Sequence, residues 1–249
     1  MRIPYLILPL LLLLSPGLAA ATTLKVVSEP WVPYIYEQDG ELQGIDYEVT
    51  QQVLRQLGYQ LEWELMPWKR AMLSVESGRA DAILDILATP ERRRQLIFPS
   101  EHLSHNDSVL FYARKHPHPY ADLQSLRGLT VGVAPGYSYG NPDFLAADYF
   151  TREPAPTNEA NLLKLLNQRI DLALIDRRAG LHERQRLGLQ EQIGFDPQPV
   201  ASGKLYLAFH RGAGKVELSY AFNTELKRFK GSDAYQQILV RYGQHESKN

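Results

Sequence analysis

Two stretches of the chain share a pattern that points to its architecture. Residues 78–85 read Gly-Arg-Ala-Asp-Ala-Ile-Leu-Asp, and residues 168–176 read Gln-Arg-Ile-Asp-Leu-Ala-Leu-Ile-Asp. Each has the end of a helix, then Arg-x-Asp, then an apolar strand that closes on an aspartate. In open α/β sheets, ligands bind at the carboxyl ends of the strands. We therefore predict two lobes that present Asp85 and Asp176 to a shared cleft, although a chance repeat of helix and strand would give the same similarity.

Short apolar runs alternate with amphipathic segments along the rest of the chain, which is typical of α/β proteins. Helices are predicted at 45–57, 67–77, 158–167 and, with a break at 231–232, over 216–242. Strands are predicted at 24–27, 61–65, 80–87, 129–134 and 170–175. Two further extended segments, 108–113 and 204–209, flank the block 114–203.

The composition excludes several classes of protein. The chain has 249 residues, 44% of them hydrophobic and 22% charged, with a formal net charge of −1. Because a nucleic-acid-binding protein needs an excess of basic residues, we expect no nucleic-acid partner. The sequence has no cysteine, which excludes disulfides, thiolate metal sites, a cysteine nucleophile and a lipid-modified amino-terminal cysteine.

The first 21 residues have the features of a secretory signal peptide. Arg2 supplies a positive start, residues 3–14 form an apolar run, and Ala19 and Ala21 are small residues placed for cleavage after Ala21. The run is short for a membrane span. We predict a protein released into the periplasm of a Gram-negative bacterium, with an uncleaved anchor as the alternative.

A series of short motifs resembles the bacterial extracellular solute-binding proteins of family 3, the polar amino acid-binding type. In chain order they are Pro33-Tyr34, Asp39-Gly40-Glu41-Leu42-Gln43-Gly44-Ile45-Asp46, Leu57-Gly58-Tyr59, Ser77-Gly78-Arg79-Ala80-Asp81-Ala82-Ile83, Thr89-Pro90-Glu91-Arg92, Phe98-Pro99-Ser100 and the stretch 123–133. Their order and spacing over residues 24–243 carry the resemblance. The block 67–71, Pro-Trp-Lys-Arg-Ala, suggests a divergent subgroup.

The resemblance implies a two-lobed periplasmic-binding-protein fold of the type II venus-flytrap kind. The segments 108–113 and 204–209 would be its two crossover hinge segments. Lobe 1 would comprise residues 22–112 and 204–249, and lobe 2 residues 113–203. The lobes would close on a small ligand and present it to an inner-membrane ABC permease, a receptor or a sensor. We expect a monomer without a cofactor, a metal or catalytic activity.

The resemblance also implies the residues that bind the ligand. Arg92 matches the guanidinium that binds an α-carboxylate, for which its planar fork of donors is suited. Asp176 matches the carboxylate that binds the α-ammonium group, and Tyr137 and Ser138 match a loop that donates to the ligand carboxylate. Two tryptophans match the rings that stack on the ligand, Trp31 and Trp68.

The chain departs from the family pattern beside this site. It is one residue shorter between Asp81 and Arg92 than is usual, and Asp85 stands where small hydroxyl residues or glycine are common. Asp85 either adds negative charge that favours a cationic ligand, or pairs with Arg92 or Arg70. Arg70 lies at a helix start, where a cation is unfavourable, so we expect it to have a ligand or carboxylate partner.

Two enzymatic alternatives remain open at this stage. Residues 136–140 match the G-x-S-x-G elbow of serine hydrolases, with Asp176 and His210 in the required order, but no HGGG-type loop accompanies them. Periplasmic cyclohexadienyl dehydratases share the fold that the resemblance implies, and Asp85, Asp176 or Glu29 would supply their catalytic carboxylate.

The histidines do not predict a metal site. His102 and His105 are three residues apart, and His116 and His118 flank a proline. A metal would need further converging ligands, and no cysteine is available. We expect these to be solvated loop histidines.

Overall fold

A computed structural model describes residues 22–242; the predicted signal peptide at 1–21 lies outside the described residues. The strands in chain order are β1 (Thr23–Ser28), β2 (Tyr36–Gln38), β3 (Glu41–Gln43), β4 (Gln60–Leu65), β5 (Ala82–Leu87), β6 (Leu96–Ile97), β7 (Ser104–Ala113), β8 (Thr130–Val133), β9 (Thr151–Pro154), β10 (Leu172–Asp176), β11 (Ile193–Phe195) and β12 (Ala201–His210). The helices are α1 (Ile45–Gln56), α2 (Trp68–Glu76), α3 (Pro90–Gln95), α4 (Pro142–Ala146), α5 (Asn158–Leu166), α6 (Arg177–Arg186), α7 (Lys215–Lys230) and α8 (Asp233–Arg241), with a short 3-10 helix at Leu123–Leu126.

One curled sheet passes through both lobes in the strand order β4-β1-β5-β12-β7-β10-β8-β9. In the first sheet half, β1 is parallel to β4 and β5, and in the second half β8 is parallel to β9 and β10. The long strands β7 and β12 lie between the halves and are antiparallel to their neighbours. The carboxyl ends of the parallel strands therefore approach each other across β7 and β12.

The two long strands pair with each other and with opposite halves of the sheet. Residues 201–205 of β12 pair with 104–108 of β7, whereas 205–209 of β12 pair with β5. Residues 108–111 of β7 pair with β10. The extended segments predicted at 108–113 and 204–209 are parts of these two longer strands.

The repeated sequence pattern corresponds to a repeated local structure. The Asp81 carboxylate accepts a hydrogen bond from the backbone N–H of Lys25 at 2.8 Å, where β1 begins. The Asp171 carboxylate accepts one from the backbone N–H of Thr130 at 2.7 Å, where β8 begins. In each half, the aspartate of Arg-x-Asp therefore joins its strand to the neighbouring parallel strand. The similarity between residues 78–85 and 168–176 is structural rather than a coincidence of composition.

The predicted helices and strands are present, with ends that differ by a few residues. The carboxyl-terminal break lies where it was expected, since α7 ends at Lys230 and α8 begins at Asp233. The sequence did not predict α6, because its ten residues have no apolar stripe. This helix packs through Gly180, where an added Cβ atom would lie only 2.2 Å from the Phe111 ring. Helix α6 is therefore held on the sheet by its close contact with β7 at Gly180 rather than by an apolar stripe of its own.

The core is divided between the two halves of the sheet. In the first half, α1, α7 and α8 cover one face of the sheet. Helix α2 covers the other face, and its Val75 belongs to the same buried cluster as Ile83 of β5. In the second half, α5 and α6 pack on one face and the segment around Phe144 packs on the other. Within residues 22–242, no helix is both long and apolar enough to cross a bilayer.

Candidate functional site

A small cavity, with about 40 Å³ of accessible space, lies between the two halves of the sheet. Seven of the eight residues that the sequence suggested for a ligand site line it: Trp31, Trp68, Asp85, Arg92, Tyr137, Ser138 and Asp176. The first four come from the first sheet half and the other three from the second, so the topology brings them together from distant parts of the chain.

Arg70 is the predicted residue that does not reach this cavity. Its side chain is exposed in the first turn of α2. The pKa of Glu64 on β4 is lowered by its hydrogen bond to Lys25 and, to a smaller extent, by the charge of Arg70. Within residues 22–242, Arg70 forms no ion pair with a carboxylate, and the structure does not bring it to the other candidate residues.

Arg92 is held at the start of α3 by the capping of that helix. The Thr89 hydroxyl accepts a hydrogen bond from the Arg92 backbone N–H at 3.2 Å. The guanidinium is buried and lies 5.3 Å from the centre of the Trp68 ring. Its Nη1 donates to the Leu87 carbonyl at 3.1 Å and to the Ser138 hydroxyl, across the cavity, at 3.5 Å. Within residues 22–242 it forms no ion pair, so a buried cation faces the cavity without a counter-ion.

Asp176 ends β10 and caps helix α6. Its Oδ1 accepts a hydrogen bond from the Ala179 backbone N–H at 2.9 Å, and its Oδ2 accepts one from the Tyr34 hydroxyl at 3.2 Å. Arg178 donates in turn to the Tyr34 hydroxyl at 3.3 Å. Burial raises the pKa of Asp176 to about 6. These hydrogen bonds fix the direction of the carboxylate, but they offset only part of the free-energy cost of burying its charge.

Aromatic side chains line the same cavity as Arg92 and Asp176. The Tyr137 ring, from the second half, lies 6.0 Å from Trp31 and 6.1 Å from Trp68, both from the first half. Its hydroxyl donates a hydrogen bond to Glu29. Burial raises the pKa of Glu29. Tyr137 thus joins the two halves by ring packing and by a buried hydrogen bond to a carboxyl group.

A β-bulge places Asp85. On β12, Ala208 pairs with Ile83 and Tyr206 pairs with Ile86, so two residues of β5 face one residue of β12. Asp85 is one of these two, and its φ of +60° is in the left-handed region. Aspartate tolerates this region better than most residues, and a bulge turns a side chain away from the regular alternation. The side chain is 4% exposed and lines the cavity.

Asp85 faces another buried carboxyl group rather than an arginine. Within residues 22–242 it forms an ion pair with neither Arg92 nor Arg70, and no donor reaches either of its oxygens. Its neighbour is Asp46 of α1, whose Oδ2 accepts a hydrogen bond from the Ser104 hydroxyl at 2.5 Å. Burial, then the charge of Asp46, raises the pKa of Asp85 well above its usual value. The charge of Asp46 therefore disfavours ionisation of the Asp85 carboxyl group.

The hydrolase constellation is not assembled. His210 Nδ1 lies 2.8 Å from the Val75 carbonyl, and its ring packs against Gly78 in the first half of the sheet. Ser138 instead accepts its hydrogen bond from Arg92. His210 is not among the residues lining the cavity that holds Ser138 and Asp176. His210 is therefore not placed to act as a general base for that serine.

The sequence predicts solvated loop residues at His102 and His105, but His102 is half-buried and the exposed His105 lies on β7. The rings of His102 and His105 lie 4.3 Å apart. Burial lowers the pKa of His102 to about 4. No group of three or more His, Cys, Asp or Glu side chains in the described part of the chain is arranged to hold a metal ion.

Comparison with known proteins identifies the family. The sequence profile of the bacterial extracellular solute-binding proteins, family 3, matches residues 24–245. The chain belongs to this family. The probable amino-acid-binding protein YxeM of Bacillus subtilis (strain 168) is 22% identical over 219 residues, covering 84% of this chain and 79% of the relative. The lysine/arginine/ornithine-binding periplasmic protein of Escherichia coli (strain K12) is 24% identical over 221 residues, covering 82% and 80% respectively.

A solved structure supports the fold of this family 3 protein. A histidine kinase sensor domain with similarity to periplasmic binding proteins superposes with a TM-score of 0.79 at 23% sequence identity, covering 88% of this chain and 95% of that one. The two-lobed periplasmic-binding-protein fold predicted from the sequence is confirmed.

Glu29 and Asn106 are among the cavity residues that were not included in the sequence-based site of this family 3 protein. Glu29 directly follows β1 and Asn106 lies on β7, and both line the cavity. The rule that pointed to Asp85 and Asp176, a carboxylate at the carboxyl end of a parallel strand, applies equally to Glu29. Asn106 had no such signal, because it lies inside a strand whose crossing position only the topology reveals.

Proposed function

We propose that this family 3 protein is a periplasmic solute-binding protein that captures a small polar ligand, an amino acid or a related amine-carboxylate. The observation that carries the proposal is a buried cation, Arg92, and a buried carboxylate, Asp176, lining one cavity. A zwitterion offers a carboxylate to the first and an ammonium group to the second. Exclusion of water from a closed site strengthens both interactions.

Binding is proposed to proceed by closure of two lobes, residues 22–112 with 204–249 and residues 113–203. The strands β7 and β12 serve as the hinge, because they pair with each other while β12 continues into the first half of the sheet and β7 into the second. Two contacts across the cavity, Arg92 with Ser138 and Glu29 with Tyr137, support a closed state. A ligand that touches both lobes favours this state, since the open one lacks half of its contacts.

After capture, the ligand is proposed to be delivered to a partner in the inner membrane. A monomer exported by cleavage after Ala21 would pass its ligand to an inner-membrane ABC permease or report it to a receptor or sensor. Support for an amino acid as cargo comes from the relatives named as an amino-acid-binding and a lysine/arginine/ornithine-binding protein. The sensor-domain structure supports only the fold that both uses share.

One observation favours an enzyme of the cyclohexadienyl dehydratase kind as the second candidate. Burial raises the pKa of three carboxyl groups that line the cavity, Glu29, Asp85 and Asp176. Groups perturbed in this way are found in catalytic sites as well as in binding sites. A protonated Asp85 would be placed to act as a general acid.

Thermal unfolding separates the two candidates. The chain from residue 22 onward, refolded to remove any ligand carried through purification, is heated with polar amino acids, polyamines, small dicarboxylates or prephenate at ~1 mM. A micromolar binder adds ~4 kcal/mol to the free energy of unfolding. We expect a clear rise of Tm with one or more amino acids. A response to prephenate alone, with loss of its ultraviolet absorbance, would instead identify the enzyme.

A further inference from the structure

Several buried polar atoms around the cavity have no partner in the protein. Among residues 22–242, the unpaired atoms on cavity-lining side chains are both carboxylate oxygens of Asp85, the amide oxygen of Asn106 and Nε1 of Trp68. Leaving a buried polar atom unpaired is costly, so native structures satisfy nearly all of them. Three of these four atoms are acceptors. These atoms therefore suit a ligand that supplies several N–H donors.

The charged side chains of the cavity also favour a ligand with several N–H donors. Its lining holds three carboxyl groups, Glu29, Asp85 and Asp176, and one cationic side chain, Arg92. A zwitterion with a neutral side chain offers only one ammonium group to these three carboxyl groups. A ligand with one carboxylate and two cationic groups offers a second cation, which can pair with a second carboxyl group once that group is ionised.

The positions of the two aspartates assign different parts of the ligand to each. Asp176 ends β10 in the second half of the sheet, whereas Asp85 lies in the bulge of β5 in the first half. The proposed function uses Asp176 for the α-ammonium group, which leaves Asp85 for a second donor. Asn106, on the central strand β7, offers a further acceptor to the same cavity.

We propose that Asp85, supported by Asn106, binds a cationic group at the end of the ligand side chain, so that the protein selects amino acids with an ammonium or guanidinium side chain. This inference rests on the proposed function, since it assumes that Arg92 and Asp176 bind the zwitterionic end. Asp85 then determines specificity: it distinguishes a cationic side chain from a neutral one of the same shape.

Because of the neighbours of Asp85, binding of a cationic ligand is coupled to the release of a proton from this carboxyl group. Asp46 of α1, Glu29 after β1 and Asp176 of β10 all raise the pKa of Asp85, after burial itself. The pKa of Asp46 is also raised by burial, and Ser104, Lys230 and Arg178 act in the opposite direction on it. A cation bound at Asp85 favours the ionised carboxylate, so the O–H bond of Asp85 breaks and the proton passes to solvent. Affinity for a cationic ligand therefore increases with pH until Asp85 is ionised in the empty protein.

Calorimetric titration with L-arginine and L-citrulline tests the proposal, because these ligands have nearly the same shape and differ in side-chain charge. The refolded protein is compared with Asp85→Asn and with Asp39→Asn. Asp39 is a matched control, since it is also a left-handed aspartate but is exposed in the turn between β2 and β3. We expect wild type and Asp39→Asn to prefer arginine by at least about tenfold. In Asp85→Asn the preference should fall to within about threefold while citrulline binding is kept.

Titrations in two buffers with different heats of protonation measure how many protons the protein releases when the ligand binds. Arginine should release protons from wild type and none from Asp85→Asn. Equal binding of arginine and citrulline by wild type, or an unchanged preference in Asp85→Asn, would overturn the assignment. The ratio of arginine to citrulline affinity in the wild-type protein is measured without any variant, so it tests the assignment even if Asp85→Asn folds poorly. Failure of the proposed function looks different, because then neither amino acid binds.

Discussion

Replacing Arg92 with alanine is expected to weaken amino acid binding by at least about tenfold. Among residues 22–242 the guanidinium lines the cavity without an ion-pair partner, and hydrogen bonds from charged groups contribute about 1.5–3 kcal/mol each. Each 1.4 kcal/mol corresponds to a tenfold change in affinity. Arg92→Lys should recover part of the loss, because lysine keeps the charge but not the planar pair of donors. Titration calorimetry with the best ligand of the thermal screen measures both variants.

Arg94→Ala provides the control for this prediction. Arg94 lies two residues away on the same helix α3 but is exposed and does not line the cavity. It should bind the ligand as wild type does. Undiminished binding in Arg92→Ala would remove Arg92 from the site and with it the carboxylate end of the proposed ligand.

Replacing Asp176 with asparagine is expected to change binding and stability in opposite directions. Asparagine keeps an oxygen for the Ala179 N–H and is a good helix N-cap, so α6 should remain intact. Loss of the charge should weaken amino acid binding at least about tenfold, since the α-ammonium group loses a charged acceptor. The empty protein should become more stable at pH 7, because a buried and only partly compensated carboxylate is removed.

The pKa of Asp176 gives the sign and size of the stability change. Burial raises it from 3.8 to about 6, so between these values the folded protein binds more protons than the unfolded chain. The free energy of unfolding therefore falls as the pH rises through this window, by at most ~3 kcal/mol from this group. Asp176→Asn should lack that contribution, whereas Asp148→Asn, at an exposed position, should keep it. Chemical unfolding at pH 4.5 and 7 would refute the account if Asp176→Asn were the less stable protein at pH 7.

The sequence predicted the parts of the site that depend on local pattern. A carboxylate after a buried parallel strand identified Asp85 and Asp176, and the Thr-Pro-Glu-Arg motif identified Arg92, whose helix is capped by Thr89. These features depend on neighbouring residues, so they can be recognised in a linear sequence. That the residues bind a ligand stays a prediction.

Other features depend on contacts between distant segments. Asp46 and Asp85 are 39 positions apart in the numbering and meet only because α1 packs on the sheet beside the bulge of β5. The bulge itself follows from pairing with β12, more than 100 residues later. Arg70 was expected to contact a ligand from its position at a helix start, but the direction of its side chain depends on how α2 packs. No pattern within α2 contains that information.

A crystal structure of the refolded protein with L-arginine tests the central claim most directly. We expect arginine between the lobes, with its α-carboxylate on the Arg92 guanidinium, its α-ammonium group on Asp176 and its side-chain guanidinium within hydrogen-bond distance of Asp85. Arginine bound outside this cavity, or bound inside it with its carboxylate away from Arg92, would contradict the account.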